Sequence, residues 1–185
     1  MSVGEGDGSL GDRRDAGTPA APGRRRNLLW FRRQLRIHDQ PLFACLDPDH
    51  DEVVAVWILD PRDHLDLVQD FTRAGTHRLR FLLETVRALQ GSLDRIGVRL
   101  VVRLGNPEDV LPHLCRDLAI DRLCFVKEPG TEERSIERKL KHRASVAITS
   151  LPPETLFQID DPGGFARELP EVFSSFRRTA ERGLE

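Results

Sequence analysis

From Asn27 onward, short apolar runs alternate with longer stretches in which apolar residues recur every three or four positions. The runs are Asn27 to Phe31, Val53 to Leu59, Val98 to Val102, Leu123 to Val126 and Val146 to Thr149. They are rich in Val, Leu and Ile, too short for helices, and apolar throughout. That pattern suits strands covered on both faces, as in a parallel sheet between two helix layers. Between them, Leu79, Leu82, Leu83, Val86, Leu89, Leu93 and Ile96 form one face of a helix over Thr76 to Ile96, with Gly97 as its stop. A second helix starts at Asn106-Pro107-Glu108-Asp109, where Asn is a capping residue, Pro already holds a helical φ, and two carboxylates meet the positive end of the dipole. A third runs from Thr131, read as its cap, to about His142, with Ile136 and Leu140 inward. Strand, helix, strand, repeated in this way, predicts an α/β fold. It is a Rossmann-like, doubly wound sheet of about five mainly parallel strands with helices on both faces and right-handed crossovers.

The organisation expected is a disordered tail over residues 1–24, an α/β domain over 25–150, and a connector loop with a terminal helix over 151–185. The tail holds six of the fourteen glycines and almost no large apolar residue, too little to offset the entropy of ordering it. The connector is broken by Pro152, Pro153, Pro162 and Gly163-Gly164. The terminal helix, from about Pro170 to Arg182, carries Val172, Phe173 and Phe176 on one side. With Leu156 and Phe157 these form a surface for self-association or for a partner.

Composition narrows the function classes. A net charge of −2 argues against a protein held on nucleic acid or an anionic membrane by bulk charge. No apolar run reaches the ~20 residues of a membrane span, and the first residues lack the apolar stretch of a secretory signal, so the cytoplasm is expected. Cys45, Cys115 and Cys124 form no C-x-x-C pair and read as small buried residues, and the six histidines are scattered. There is no phosphate-binding G-x-x-x-x-G-K-[ST], no G-x-G-x-x-G after the first strand, no G-x-S-x-G and no H-E-x-x-H.

Two polar segments remain. Arg32 to Gln40 leaves the first strand at the edge where open α/β sheets hold ligands. Its arginines suit phosphate or carboxylate; with Arg24, Arg25 and Arg26 they also permit a weak contact with nucleic acid. The alternative is that Arg36 and Asp39 brace the loop by an internal ion pair. Glu132 and Glu133, after the fourth strand, are either ligand-binding acids or ordinary helix-start residues.

Trp30-Phe31-Arg32-Arg33-Gln34-Leu35-Arg36-Ile37-His38-Asp39-Gln40-Pro41 resembles the opening signature of the photolyase/cryptochrome superfamily, W-F-R-x-D-L-R-x-x-D-N-P, with Gln34 in place of Asp and Gln40 in place of Asn. Further similarities follow in order at Asp60-Pro61-Arg62, at Gly75 to Glu84, and at Gly105 to Pro112. Lys127-Glu128 with Thr131-Glu132-Glu133, and Leu169 to Arg177, are most similar to the DASH-type cryptochromes. The resemblance implies the family's N-terminal α/β domain, the light-harvesting antenna or docking part of a photolyase or DASH-type cryptochrome. It further implies that the domain is not competent for DNA photorepair alone and binds DNA weakly or not at all. No FAD is expected in this chain, the flavin-binding helical domain being expected in another chain. If a chromophore is bound, the resemblance implies a reduced folate of the methenyl type at Glu132 and Glu133. Arg32, Arg36 and Asp39 stand in the signature loop, and Ser175 stands where the DASH-type pattern has a folate-holding Gln. The alternative is a small-molecule or nucleotide-binding module that has lost the light-dependent role.

Overall fold

The computed structural model describes residues 23–64, 67–68, 71–154 and 170–182. The expected tail, up to residue 22, lies outside them, as do Leu156 and Phe157. In chain order the elements are β1 (Arg25–Phe31), α1 (Pro41–Ala44), β2 (Asp51–Leu59), α2 (Pro61–His64), β3 (Leu67–Val68), β4 (Phe71–Thr72), α3 (Thr76–Asp94), β5 (Arg99–Leu104), α4 (Pro107–Asp117), β6 (Arg122–Val126), α5 (Thr131–Arg143), β7 (Ala147–Leu151) and α6 (Phe173–Arg182).

Five strands form one sheet in the order β5-β2-β1-β6-β7, every neighbour parallel. The α/β fold expected from the apolar runs is the fold observed. Because β1 is the central strand, its residues after Arg25 are buried without interruption, which is why Asn27 to Phe31 shows no polar alternation. Alternate side chains feed two cores. Leu28 and Trp30 of β1 join Leu111 and Leu114 of α4 and Ile136 and Leu140 of α5. Leu29 and Phe31 join Leu42 of α1 and Val86, Leu89 and Leu93 of α3 on the other face. Trp30 meets Phe125 of β6 edge-on, ring centroids 5.5 Å apart, an arrangement favoured by the aromatic quadrupole.

Several boundaries move. Each strand is one or two residues longer at one end or both than its apolar run, or shifted along it, because backbone pairing continues past the last buried side chain. The small hairpin β3–β4 and the short helices α1 and α2 carry too few residues for a periodic signal. α3 turns Val86, Leu89 and Leu93 inward but leaves Leu83 40% and Ile96 52% exposed; Leu83 lies on the flank of the stripe, and Ile96 follows the end of the helix, in the turn that Gly97 makes at φ +74. Thr131 is not a cap: Gly130 holds that position, no side chain caps it, and the Glu133 carboxylate folds over it where a Cβ would lie. Asn106 does occupy the cap of α4, but its amide donates to Asp109 Oδ2 at 3.2 Å instead of accepting from the backbone. The terminal helix starts at Phe173, three residues after Pro170.

Candidate functional site

The chain adds β2 and β5 on one side of β1 and then crosses back through α4 to add β6 and β7 on the other. The carboxyl ends of β1 and β6 therefore diverge into connections running in opposite directions, and open α/β sheets bind ligands in the crevice this makes. Here it is a cleft of about 590 Å³. Arg32 and Arg33 enter it from β1, Asp60 from β2, Glu128 from β6, Glu132 and Glu133 from the first turn of α5, and Arg73, Arg78 and Phe81 from the start of α3 and the residues before it. Trp30 and Trp57, 4% and 3% exposed, form part of its wall.

Arg32 is held rigidly. Its guanidinium carbon lies 4.5 Å from the centroid of the Trp30 ring, and its Nη1 donates to Glu137 Oε1 at 2.5 Å and to the Val126 carbonyl at 3.3 Å. Arg33 Nε forms an ion pair with Glu128 Oε2 at 2.6 Å, and Arg33 Nη2 donates to Glu133. Arg73 makes two 2.8 Å bonds to Glu132, and this pairing lowers the Glu132 pKa from its ordinary value. Behind the wall, Arg62 bridges Asp60 at 2.6 Å and Glu108 at 2.8 Å, while Lys139 reaches Glu108 at 3.3 Å. Burial opposes the charge on Glu108, but the Arg62 hydrogen bonds, a backbone bond and Lys139 outweigh it and pull its pKa down to about 2.

Glu128 is the exception. Its side chain is 7% exposed; Oε2 is ion-paired with Arg33 at 2.6 Å, but Oε1 has no hydrogen-bond partner, Arg32 Nε standing 3.8 Å away. Among the described residues it is the one buried side-chain polar atom so placed. Burial raises the pKa of the Glu128 carboxyl; Arg32 and Arg33 resist, and Glu133 and Glu137 add to the rise. A buried acceptor without a donor is costly, and this one belongs to a residue that lines the cleft.

Of the residues singled out in the sequence, the cleft brings together Arg32, Glu132 and Glu133. Arg36 and Asp39 are not in its lining. Arg36 donates to both Glu154 oxygens, at 3.0 and 3.2 Å, and to the His38 and Asp39 carbonyls, with Asp39 Oδ2 at 3.6 Å. That is the loop-bracing arrangement, and Gln40 completes it by donating to the Gln34 and Arg36 carbonyls. Ser175 lies on α6, also outside the lining, its N–H bonded to the Val172 carbonyl. Glu128 is absent from the sequence-derived set, although a carboxylate two residues beyond the end of a buried strand marks the same sheet edge as Arg32. Four arginines and five carboxylates line the cleft, and Arg32, Arg33 and Arg73 are all engaged by acids. Among the described residues no His, Cys, Asp and Glu are grouped to hold a metal, and no helix is long and apolar enough to cross a membrane.

The family model for DNA photolyase matches residues 27–185, so the chain belongs to the DNA photolyase family, and its α/β unit corresponds to the N-terminal domain of these proteins. It is 37% identical over 159 residues to a cryptochrome DASH of Gloeobacter violaceus, covering 84% of this chain and 32% of that protein. It is 32% identical to the blue-light photoreceptor PHR2 of Arabidopsis thaliana, covering 88% of this chain and 37% of that one. The crystal structure of a Synechocystis cryptochrome superimposes with a TM-score of 0.77 at 28% identity, covering 89% of this chain and 34% of that chain. The chain thus spans about a third of the length of the relatives it matches.

Proposed function

We propose that this domain is the antenna-type part of a photolyase or DASH-type cryptochrome and that its cleft holds a light-absorbing heterocycle, a reduced folate of the methenyl type. The observation that carries this reading is the Glu128 carboxylate, short of a hydrogen-bond donor at Oε1, in the lining of a cleft that also includes Trp30 and Trp57. A pterin ring has an edge of amino and ring N–H donors, which a carboxylate accepts well, and flat faces that suit apolar, aromatic walls. Glu128 would hold that edge, with Glu132 and Glu133 nearby. Bound there, the chromophore would supply absorption of near-ultraviolet light; the residues named bind and orient it.

The nucleotide-binding alternative fits less well. Phosphate needs free cationic donors, and three of the four cleft arginines are already neutralised by carboxylates. Flavin chemistry and lesion repair belong, in this proposal, to a flavin-binding helical domain in another chain. The domain by itself is inactive in repair, binds DNA weakly or not at all, and works in the cytoplasm.

Titration of the full chain with methenyltetrahydrofolate, followed by the near-ultraviolet absorbance of the ligand, tests the reading. Glu128→Gln replaces a charged carboxylate with two acceptor oxygens by a neutral amide with one, and is expected to weaken binding about 10- to 100-fold, since a hydrogen bond to a charged group contributes about 1.5–3 kcal/mol. The exposed Glu132 should matter less. Equal affinity of wild type and Glu128→Gln would remove Glu128 from the site, and tighter binding of a nucleoside phosphate than of the folate would favour the alternative.

A further inference from the structure

The charges of the cleft are unevenly placed. Glu128 follows β6, and Glu132 and Glu133 open α5, so three carboxylates stand on that side. α5 covers one face of the sheet, with Ile136 and Leu140 in its core, and α3 covers the other through Val86, Leu89 and Leu93. Arg73, just before α3, meets Glu132 at 2.8 Å, so the start of α3 and the start of α5 face each other across the cleft. On the α3 side stand Arg78 and Phe81, one turn apart.

The fold uses neither of them. Arg32, Arg33 and Arg73 are each paired with an acid, whereas Arg78 is exposed and, among the described residues, has no acid paired with it. It lies in the first turn of α3, where the helix dipole adds positive potential and no acidic side chain offsets it. Phe81 is 70% exposed and takes no part in the core that Val86, Leu89 and Leu93 make. An open aromatic ring beside an uncommitted guanidinium, both in the lining of one cleft with the under-bonded Glu128 carboxylate, suits a ligand with a flat, acidic arm and a donor-bearing head.

A methenyl-type reduced folate is polar in this sense. Its methenyl bridge, next to the pterin ring, carries a delocalised positive charge, and a benzoyl ring leads from it to the two carboxylates of a glutamate. The positive head matches the side of Glu128, Glu132 and Glu133; the acidic arm matches the α3 side. Building on the folate reading of the cleft, we propose that Arg78 pairs with a carboxylate of the glutamate tail and that Phe81 stacks on the benzoyl ring. The α3 side then fixes the direction in which the ligand lies. A planar guanidinium offers two parallel N–H donors to one carboxylate, which an ammonium does not, and the cleft volume of about 590 Å³ is that of a pocket for a whole ligand of this kind.

The test compares methenyltetrahydrofolate with its dimethyl ester, which keeps the ring system and its near-ultraviolet band but has no charge on the tail. Both are titrated into the full chain. Wild type should bind the acid about 5- to 10-fold more tightly than the ester, with a preference that shrinks as salt is raised. Arg78→Gln should bind both forms with the affinity wild type has for the ester, and Arg78→Lys should recover part of the preference. Phe81→Ala should weaken acid and ester alike by about 2- to 10-fold, because stacking does not depend on the tail charge. No preference in wild type, an undiminished preference in Arg78→Gln, or unchanged affinity in Phe81→Ala would overturn this assignment while leaving a folate in the cleft. Failure of wild type to bind either form would overturn the folate reading itself and this inference with it.

Discussion

Glu108 and Glu128 are both buried carboxylates within reach of arginines, and they differ in what completes them. Glu108 has Arg62 on both oxygens and Lys139 besides; Glu128 is held by ion pairs to Arg33 and, more loosely, Arg32, and its Oε1 accepts no hydrogen bond. Their pH behaviour should differ in sign. The folded-state pKa of Glu108 lies at about 2 against an ordinary 4.5, so its stabilisation is present above about 4.5 and lost as pH falls toward 2. The full difference is about 3 kcal/mol. Urea denaturation should show Glu108→Gln less stable than wild type at pH 7, with the gap shrinking between pH 4.5 and 2. The carboxyl of Glu128 is raised, so ionising it works against the fold. Glu128→Gln should therefore match or exceed wild-type stability at pH 7 while losing ligand affinity, the trade expected of a residue kept for binding. A marked loss of stability in Glu128→Gln would instead make it a structural ion-pair partner like Glu108.

Backbone conformation explains which elements end where they do. Gly105, between β5 and α4, sits at φ +139, and a Cβ there would lie 3.0 Å from Val110 Cγ2; Gly105→Ala should cost about 1–3 kcal/mol. Ala119, after α4, holds φ +50 with its side chain exposed. Ala119→Gly removes that strain with no packing to lose and should raise stability by about 0.5–1 kcal/mol in thermal or urea unfolding. Strands and long helices were legible in the sequence because each buries a regular stripe: β1 reads as an unbroken apolar run, and α3 as a three- and four-residue repeat. The cap position of α4 was legible at Asn106, but its bond to Asp109 was not, and the cap of α5 falls on Gly130 and not Thr131, because the side chains of Asp109 and Glu133 are placed only by the folded turn. Arg32, Glu132 and Glu133 could be picked out because they follow strand ends. Arg36, Asp39 and Ser175 could not be sorted from them, because the Glu154 partner of Arg36 lies 118 residues away and a one-dimensional pattern carries no sign of it.

At the scale of the whole molecule, an exposed apolar helix face and the cleft each make a separate prediction. On α6, Val172 and Phe173 are 62% and 74% exposed. If that helix is a surface for self-association or for a flavin-binding partner, Phe173→Ser should lower the association seen in concentration-dependent sedimentation of wild type, without changing folate affinity at the cleft, whose lining does not include α6. The cleft itself carries a built-in reporter: the chain has two tryptophans and no tyrosine, and both tryptophans are in the cleft wall. The most direct measurement of the central claim is therefore sensitised emission, in which the protein is excited in its tryptophan band and emission is read from added methenyltetrahydrofolate. A chromophore in the cleft should quench the tryptophans and show their band in its excitation spectrum, and both signals should weaken in Glu128→Gln at subsaturating ligand. Unquenched tryptophans at saturating folate would contradict the account, because a chromophore filling the cleft would lie within energy-transfer distance of Trp30 and Trp57, which contribute to its lining.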